Sequence, residues 1–180
     1  MKDKVLIVVG IPNFDYSNEK SAVSSFLAEI KLAFEKKNVE VCFPKYHKTD
    51  VSIKPNSAHQ KGIKNSFKVL IKKWPWLYYS MVNRNYFKKQ NTLVGEFLIE
   101  DNYTHIIEFH TVGSMLGVQL ATMFNAKLSV IFDSPVDEQY VEMYGTKTLY
   151  WNRIKSSEKH TLENADSIMV YSEGCKEFVK

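Results

Sequence analysis

The chain has 180 residues, of which 44% are hydrophobic and 24% charged, and a formal net charge of +4 at pH 7. That length holds one good-sized core in one domain, the composition is that of a soluble globular protein, and no apolar run approaches the ~20 residues that span a bilayer. The charge is uneven: residues 45–89 carry eleven Lys or Arg against Asp50 alone, a local +10 that leaves −6 for the rest, and such a patch attracts an anionic partner such as phospholipid, phosphorylated substrate or nucleic acid.

The N-terminus, MKDKVLIVVG, has a basic start and a short apolar run but no small-residue cleavage site, so it reads as a first strand over residues 5–10 rather than a signal peptide. A continuous apolar run of this length is the mark of a strand buried on both faces. Residues 21–37 place Val23, Phe26, Leu27, Ile30, Leu32, Ala33 and Phe34 largely at helical spacing, and residues 39–43 (VEVCF) form the second strand. Residues 48–90 are the least regular part: KPNSAHQKG is a turn or loop, and the following stretch has Phe67, Leu70, Ile71, Trp74, Leu77, Tyr78 and Met81 at helical spacing, interrupted by Pro75. A helix over 93–100 then leads to a strand at 104–109 (THIIEF), a helix at 114–124, a strand at 127–132 (KLSVIF) and a long polar helix at 148–164. The last strand, 167–171 within NADSIMVYSEG, reads as buried. Strands alternating with helices predict a parallel sheet with right-handed crossovers. The expected fold is an α/β Rossmann-like three-layer sandwich with a mainly parallel central sheet, one domain over 1–180 with a basic aromatic insertion at 45–90. Cys42 and Cys175 lie far apart without metal-ligand spacing, which points to thiols in a reducing cytoplasm.

Within the insertion, Lys64, Lys68, Lys72 and Lys73 fall largely opposite the apolar positions. Two readings stand: a surface helix with a solvated basic face, or a membrane-surface helix whose lysines and Arg84 meet lipid headgroups, with Trp74, Trp76, Tyr78 and Tyr79 at the interface.

Ligands of open parallel sheets bind outside the carboxyl ends of the strands. After the first strand comes a polar loop with Pro12 and Asn13, closed by the small pair Ser21-Ala22; after later strands come His110-Thr111, Asp133-Ser134 and Ser172-Glu173. Each precedes a helix start, where backbone N–H groups favour anionic oxygens. The first loop lacks GxGxxG and GxxxxGK[ST], which argues against a dinucleotide dehydrogenase or P-loop NTPase, and Ser21 is equally readable as a helix cap. His110 can hydrogen-bond a substrate hydroxyl or shuttle a proton, with Asp133 as a second polar group at a strand end or as a turn cap. Glu108, two residues before His110, shares its face and is placed to orient the imidazole. His160 and Glu163 read as solvated, and His47 and His105 receive no role. No cluster has metal-ligand spacing, and there is no GxSxG elbow.

In order, VLIVVG, the Ser21-Ala22 pair, FLAEIKLAFEKK, NVEV, THIIEFHTVGSMLGVQLA, LSVIFDSP and ADSIMVYS resemble the N-terminal domain of GT-B glycosyltransferases of the family-4 type. Ser21-Ala22 stands where that family has Gly-Gly, and Phe132 replaces the His of its His-Asp strand end, leaving Asp133. The resemblance implies a retaining glycosyltransferase that moves a sugar from a nucleotide-sugar donor to a glycan or lipid-linked acceptor. It implies His110 and Asp133 as catalytic residues, and Pro12, Asn13, Ser21, Ala22, Thr111, Ser134, Ser172 and Glu173 against substrate. The family generally needs no metal and no cofactor. Its donor is a co-substrate held mainly by a second, C-terminal domain, so this chain is expected to be the acceptor half of something larger, completed by that domain or by a partner chain. The basic segment suits an acceptor on a membrane lipid, and the expected location is cytoplasmic, peripheral on the inner face of the membrane.

Two other readings remain: a non-catalytic Rossmann-like module docking through its basic patch, and a flavodoxin-like or other nucleotide-binding α/β protein. Charge and aromatics also suit RNA, but no recognition motif is present, so nucleic acid is not an expected partner.

Overall fold

A computed structural model describes residues 3–11, 14–18, 20–44, 74–96, 102–135, 145, 147–171 and 173–179. Pro12, Asn13, Ser172 and the four lysines Lys64, Lys68, Lys72 and Lys73 lie outside these residues, as does the insertion over 45–73. In chain order the elements are β1 (Lys4–Val9), α1 (Ala22–Glu35), β2 (Glu40–Cys42), α2 (Pro75–Glu96), β3 (His105–Phe109), α3 (Leu116–Phe124), β4 (Lys127–Phe132), α4 (Trp151–Glu163), β5 (Ser167–Val170) and α5 (Glu173–Val179). The five strands form one sheet in the order β2-β1-β3-β4-β5, and every pair is parallel.

The continuous apolar runs follow from helices on both faces of this sheet. On one face Val5, Ile7, Val9, Ile107 and Ile131 pack with Leu27 of α1. On the other, Leu6, Val8, Ile106, Leu128, Val130 and Phe132 pack with Leu116 and Leu120 of α3 and Cys175 of α5. The period of two along each strand sends alternate side chains into the two cores. The result is the three-layer Rossmann-like α/β sandwich that the alternation of elements predicts.

The helix boundaries have local causes. Ser21 is the N-cap of α1, its Oγ accepting from the Ser24 amide at 3.3 Å. Asn125, in the left-handed region at φ 50°, ends α3. Pro75 does not interrupt a helix: it is the first residue of α2, where its missing N–H is no loss. The separate helix expected over 93–100 is the end of α2, which runs unbroken to Glu96. Two other helices start later than the pattern suggests. Ser114 and Thr148 spend their side chains on neighbouring amides, Ser114 Oγ accepting from Leu116 N and Thr148 Oγ1 from Tyr150 N.

β5 corrects a further expectation. It is the edge of the described sheet, not a strand buried on both faces: Ile168 and Val170 pack on the core beneath, while Met169 on the opposite face is 58% exposed.

α3 approaches β3 closely because Gly117 has no side chain. A Cβ there would overlap the Glu108 carboxylate and come within 2.8 Å of Glu108 Cβ and 2.9 Å of Leu128 Cδ1. Gly117→Ala is therefore expected to cost about 1–3 kcal/mol through overpacking, measured as a lower urea midpoint with unchanged slope; an unchanged midpoint would show that α3 moves away from the sheet freely.

Candidate functional site

Chain direction across the sheet reverses between β1 and β3, since β1 leads outward to β2 and β3 leads the opposite way to β4 and β5. The crevice outside the carboxyl ends of these two strands is where such sheets take ligands. Gly10 follows β1 and His110 to Ser114 follow β3. A side chain at Gly10 would collide with Ser114 and Thr111, so the two strand ends meet over a glycine. Tyr86 of α2 spans them, its hydroxyl donating to the Gly10 carbonyl at 2.7 Å and lying 3.1 Å from Thr111 Oγ1.

α2 is held across this edge by polar contacts to the start of α4. Asn83 Nδ2 donates to Thr148 Oγ1 at 3.0 Å and the Leu149 amide to Ser80 Oγ at 3.0 Å. Phe87 fills the space over Gly113, whose φ of 69° and 2.6 Å clearance to Phe87 Cε1 both require glycine. The loop after β1 is also folded inward, with Tyr16 OH accepting from the Val9 amide at 3.0 Å and its ring stacked on Phe43.

His110 is 6% exposed, tied through its amide to the Ile131 carbonyl at 3.0 Å, with its ring 5.8 Å from that of Phe132. Neither ring nitrogen has a hydrogen-bond partner among the described residues. The nearest charged group is Glu158 of α4, its Oε2 3.8 Å from Nε2, which is too long for a hydrogen bond. Burial pushes the imidazole down to about 4, so at neutral pH it is uncharged and its contact with Glu158 is not an ion pair.

Glu108 does not orient His110. It is fully buried, and its two oxygens accept from Ser114 Oγ and, at 3.0 Å, from the Gly117 amide. Burial raises its acidity constant to about 7 in spite of those two donors. Its carboxyl group also occupies the start of α3, where an anionic ligand was expected. The carboxylate beside the imidazole is Glu158's. Its position was readable: Ile154, Ser157, Glu158 and Thr161 are the buried stripe of α4 at helical spacing. An acidic residue on such a stripe needs a partner inside the protein.

The other candidate residues are spread along the carboxyl edge. Thr111 is half-buried in the crevice, and Asp133 is exposed at the end of the adjacent strand, its carbonyl accepting from the Cys175 thiol at 3.0 Å. Ser134 Oγ is buried without a partner among the described residues. Ser21 caps α1, and Ala22, its first residue, is exposed; Glu173 is exposed and pairs with Lys176 at 3.3 Å. His160 and Glu163 are exposed, as expected of solvated helix positions. Among the described residues no group of three His, Cys, Asp or Glu is placed to hold a metal, and no helix is long and apolar enough to cross a membrane.

Comparison with protein-family models, curated proteins and solved structures finds no match. The chemistry therefore rests on the site: a neutral imidazole with both nitrogens uncommitted, fit to accept a proton or hydrogen bond from one hydroxyl and donate to another.

The two buried groups respond to pH in opposite senses. Folded His110 holds its proton only below about 4, against an ordinary 6.5, so the unfolded chain binds the extra proton between these values and stability rises with pH there. Folded Glu108 keeps its proton to about 7, against an ordinary 4.5, so stability falls with pH across that window. Glu108→Gln removes the falling contribution. Its stability relative to the parent should increase from pH 4.5 to 7, by up to about 1.4 kcal/mol per unit, as read by urea denaturation across the range. A difference independent of pH would mean that Glu108 ionises at its ordinary value.

Proposed function

We propose that this chain is the acceptor-binding side of a retaining glycosyltransferase that moves a sugar from a nucleotide-sugar donor to a glycan or lipid-linked acceptor. The observation that carries the reading is the His110 imidazole, held neutral at the carboxyl end of β3, beside the reversal in strand order, with both nitrogens lacking a partner among the described residues. A buried polar group left in this state is unfavourable unless a ligand completes it. Sugars offer neighbouring hydroxyls that both donate and accept, which suits an uncharged imidazole better than a cation. Asp133, exposed at the adjacent strand end, takes a further hydroxyl. Tyr86, bonded to Gly10 and Thr111, is the side chain that yields when the crevice opens. On this reading a second domain or chain supplies the donor site across the carboxyl edge of the sheet.

The test is binding of the chain to an array of glycans and lipid-linked sugars, with His110→Ala alongside. Loss of the His110 contact should weaken acceptor binding at least about tenfold, the equivalent of one good hydrogen bond in a dry site. Unchanged binding by the variant would sink the assignment. Tight binding of a free nucleotide without any glycan would favour a nucleotide-binding α/β protein, which shares this strand order.

A membrane-docking role, alone or alongside transfer, is favoured by one specific observation. Trp74 and Trp76 at the start of α2 are 56% and 46% exposed, with Arg84, Lys88 and Lys89 exposed further along the same helix. Exposed tryptophans beside basic residues are the composition of a peripheral membrane contact, which would set the protein on the inner face of the membrane. Trp74→Ala with Trp76→Ala, and separately the exchange of Lys64, Lys68, Lys72 and Lys73 for Glu, should each reduce co-sedimentation with phosphatidylglycerol–phosphatidylcholine vesicles about tenfold or more. Equal sedimentation of parent and variants would leave this surface as a solvated helix face.

A further inference from the structure

A cavity of about 300 Å³ opens between α2, α3 and α4, and its walls include neither His110 nor Asp133. Arg153 and His160, seven residues apart on α4, lie on one side, with Ser156 between them; Gln119 comes from α3, and Phe87 and Leu116 supply apolar surface. No acidic residue lines it. The volume is at the small end of the range for small-molecule sites.

Arg153 is the distinctive group. Its guanidinium lies 4.3 Å from the centre of the Phe87 ring, and Phe87 is itself buried against Tyr150, with ring centres 5.6 Å apart. Stacking on a fixed ring restricts the guanidinium plane while its N–H donors stay at the rim, open to a ligand. No described carboxylate pairs with it. The acidic residues of α4 are engaged elsewhere, Glu158 toward His110 and Glu163 with Lys159 at 3.6 Å. His160 adds a donor. Asn164 Nδ2 lies 3.4 Å from its Nδ1, which favours the neutral tautomer with hydrogen on Nε2. The helix start of α3 is not part of the argument, since its Leu116 and Gly117 amides are taken by Ser114 and Glu108.

We propose that this cavity binds a phosphate monoester, the phosphoryl oxygens on Arg153 and His160 and a small organic body against Phe87 and Leu116. Donors from two helices, of four side-chain types, suit the three oxygens of a phosphoryl group better than the two of a planar carboxylate. The ester is either a free sugar phosphate or the headgroup of an anionic lipid. The proposal is independent of the transferase reading, because the cavity and the His110 crevice have different walls.

The experiment is calorimetric titration of the intact chain with phenyl phosphate, with benzoate and phenol as comparisons. Phenyl phosphate should bind and Arg153→Ala should weaken it about tenfold or more, as loss of a charge-assisted hydrogen bond does. Arg153→Lys, which keeps the charge without the planar fork, should fall between. Arg153 is exposed, so these variants are expected to fold; matching melting curves check it. Glucose 1-phosphate and dihexanoyl phosphatidic acid then distinguish the two sources by which binds more tightly. The proposal is overturned if phenyl phosphate does not bind, if phenol binds equally, or if benzoate binds as well. It is also overturned if His110→Gln abolishes phosphate binding while Arg153→Ala does not, which would place the anion in the crevice.

Discussion

Glu108 lies in the middle of β3 without solvent contact, and both of its oxygens accept hydrogen bonds from the turn that follows, from Ser114 Oγ and the Gly117 amide. Much of the carboxyl edge of the sheet is built outward from this arrangement. A buried carboxylate without donors would cost several kcal/mol, so the β3–α3 turn is constrained to bring Ser114 and the first turn of α3 to it. Ser114 in turn presents its carbonyl to Thr161 of α4 at 3.0 Å, and its side chain leaves room for Gly10 alone at the end of β1. One side chain thus couples β1, β3, α3 and α4. The same requirement explains Gly117, where any side chain would displace the carboxylate.

His110 is positioned by that frame but takes no part in it. Its backbone belongs to the sheet edge and its ring is packed by Phe132. The carboxylates on either side, Glu108 and Glu158, do not hydrogen-bond it. Desolvation outweighs the attraction of Glu158 for a proton, which leaves a neutral ring with two unused nitrogens. Such a group is poor as a structural element and well suited to a ligand with hydroxyl groups.

α2 completes the edge from outside. Tyr86, Asn83 and Ser80 tie it to strand ends and to the start of α4, and Phe87 fills the space over Gly113. This helix therefore borders two different concave regions. Tyr86 spans the crevice near His110, while Phe87 forms a wall of the cavity and carries the guanidinium of Arg153. The exposed tryptophans at its start lie on the same rigid element.

Much of this was legible in the chain itself. Continuous apolar runs of strand length, separated by helical spacings, determine a parallel sheet covered on both faces, because no other arrangement buries such strands completely. The polar residues at strand ends, His110 and Asp133 among them, follow from the same alternation, and Ser21 as a cap follows from its place before an apolar-periodic segment. Other features depend on contacts between residues distant in sequence, which no local pattern encodes. Glu108 looked free to serve His110 because the two share a strand face; three-dimensional packing gave its oxygens to Ser114 and Gly117 and put Glu158, 48 positions along the chain from His110, beside the ring instead. Pro75 looked like an interruption because spacing alone cannot tell a kink from a helix start. β5 looked buried because its composition matches that of central strands, and only the strand order leaves it at an edge. Local propensity and periodicity determined which elements form; the low dielectric and the donor geometry of the assembled interior decided which polar groups are consumed by the fold and which remain for chemistry.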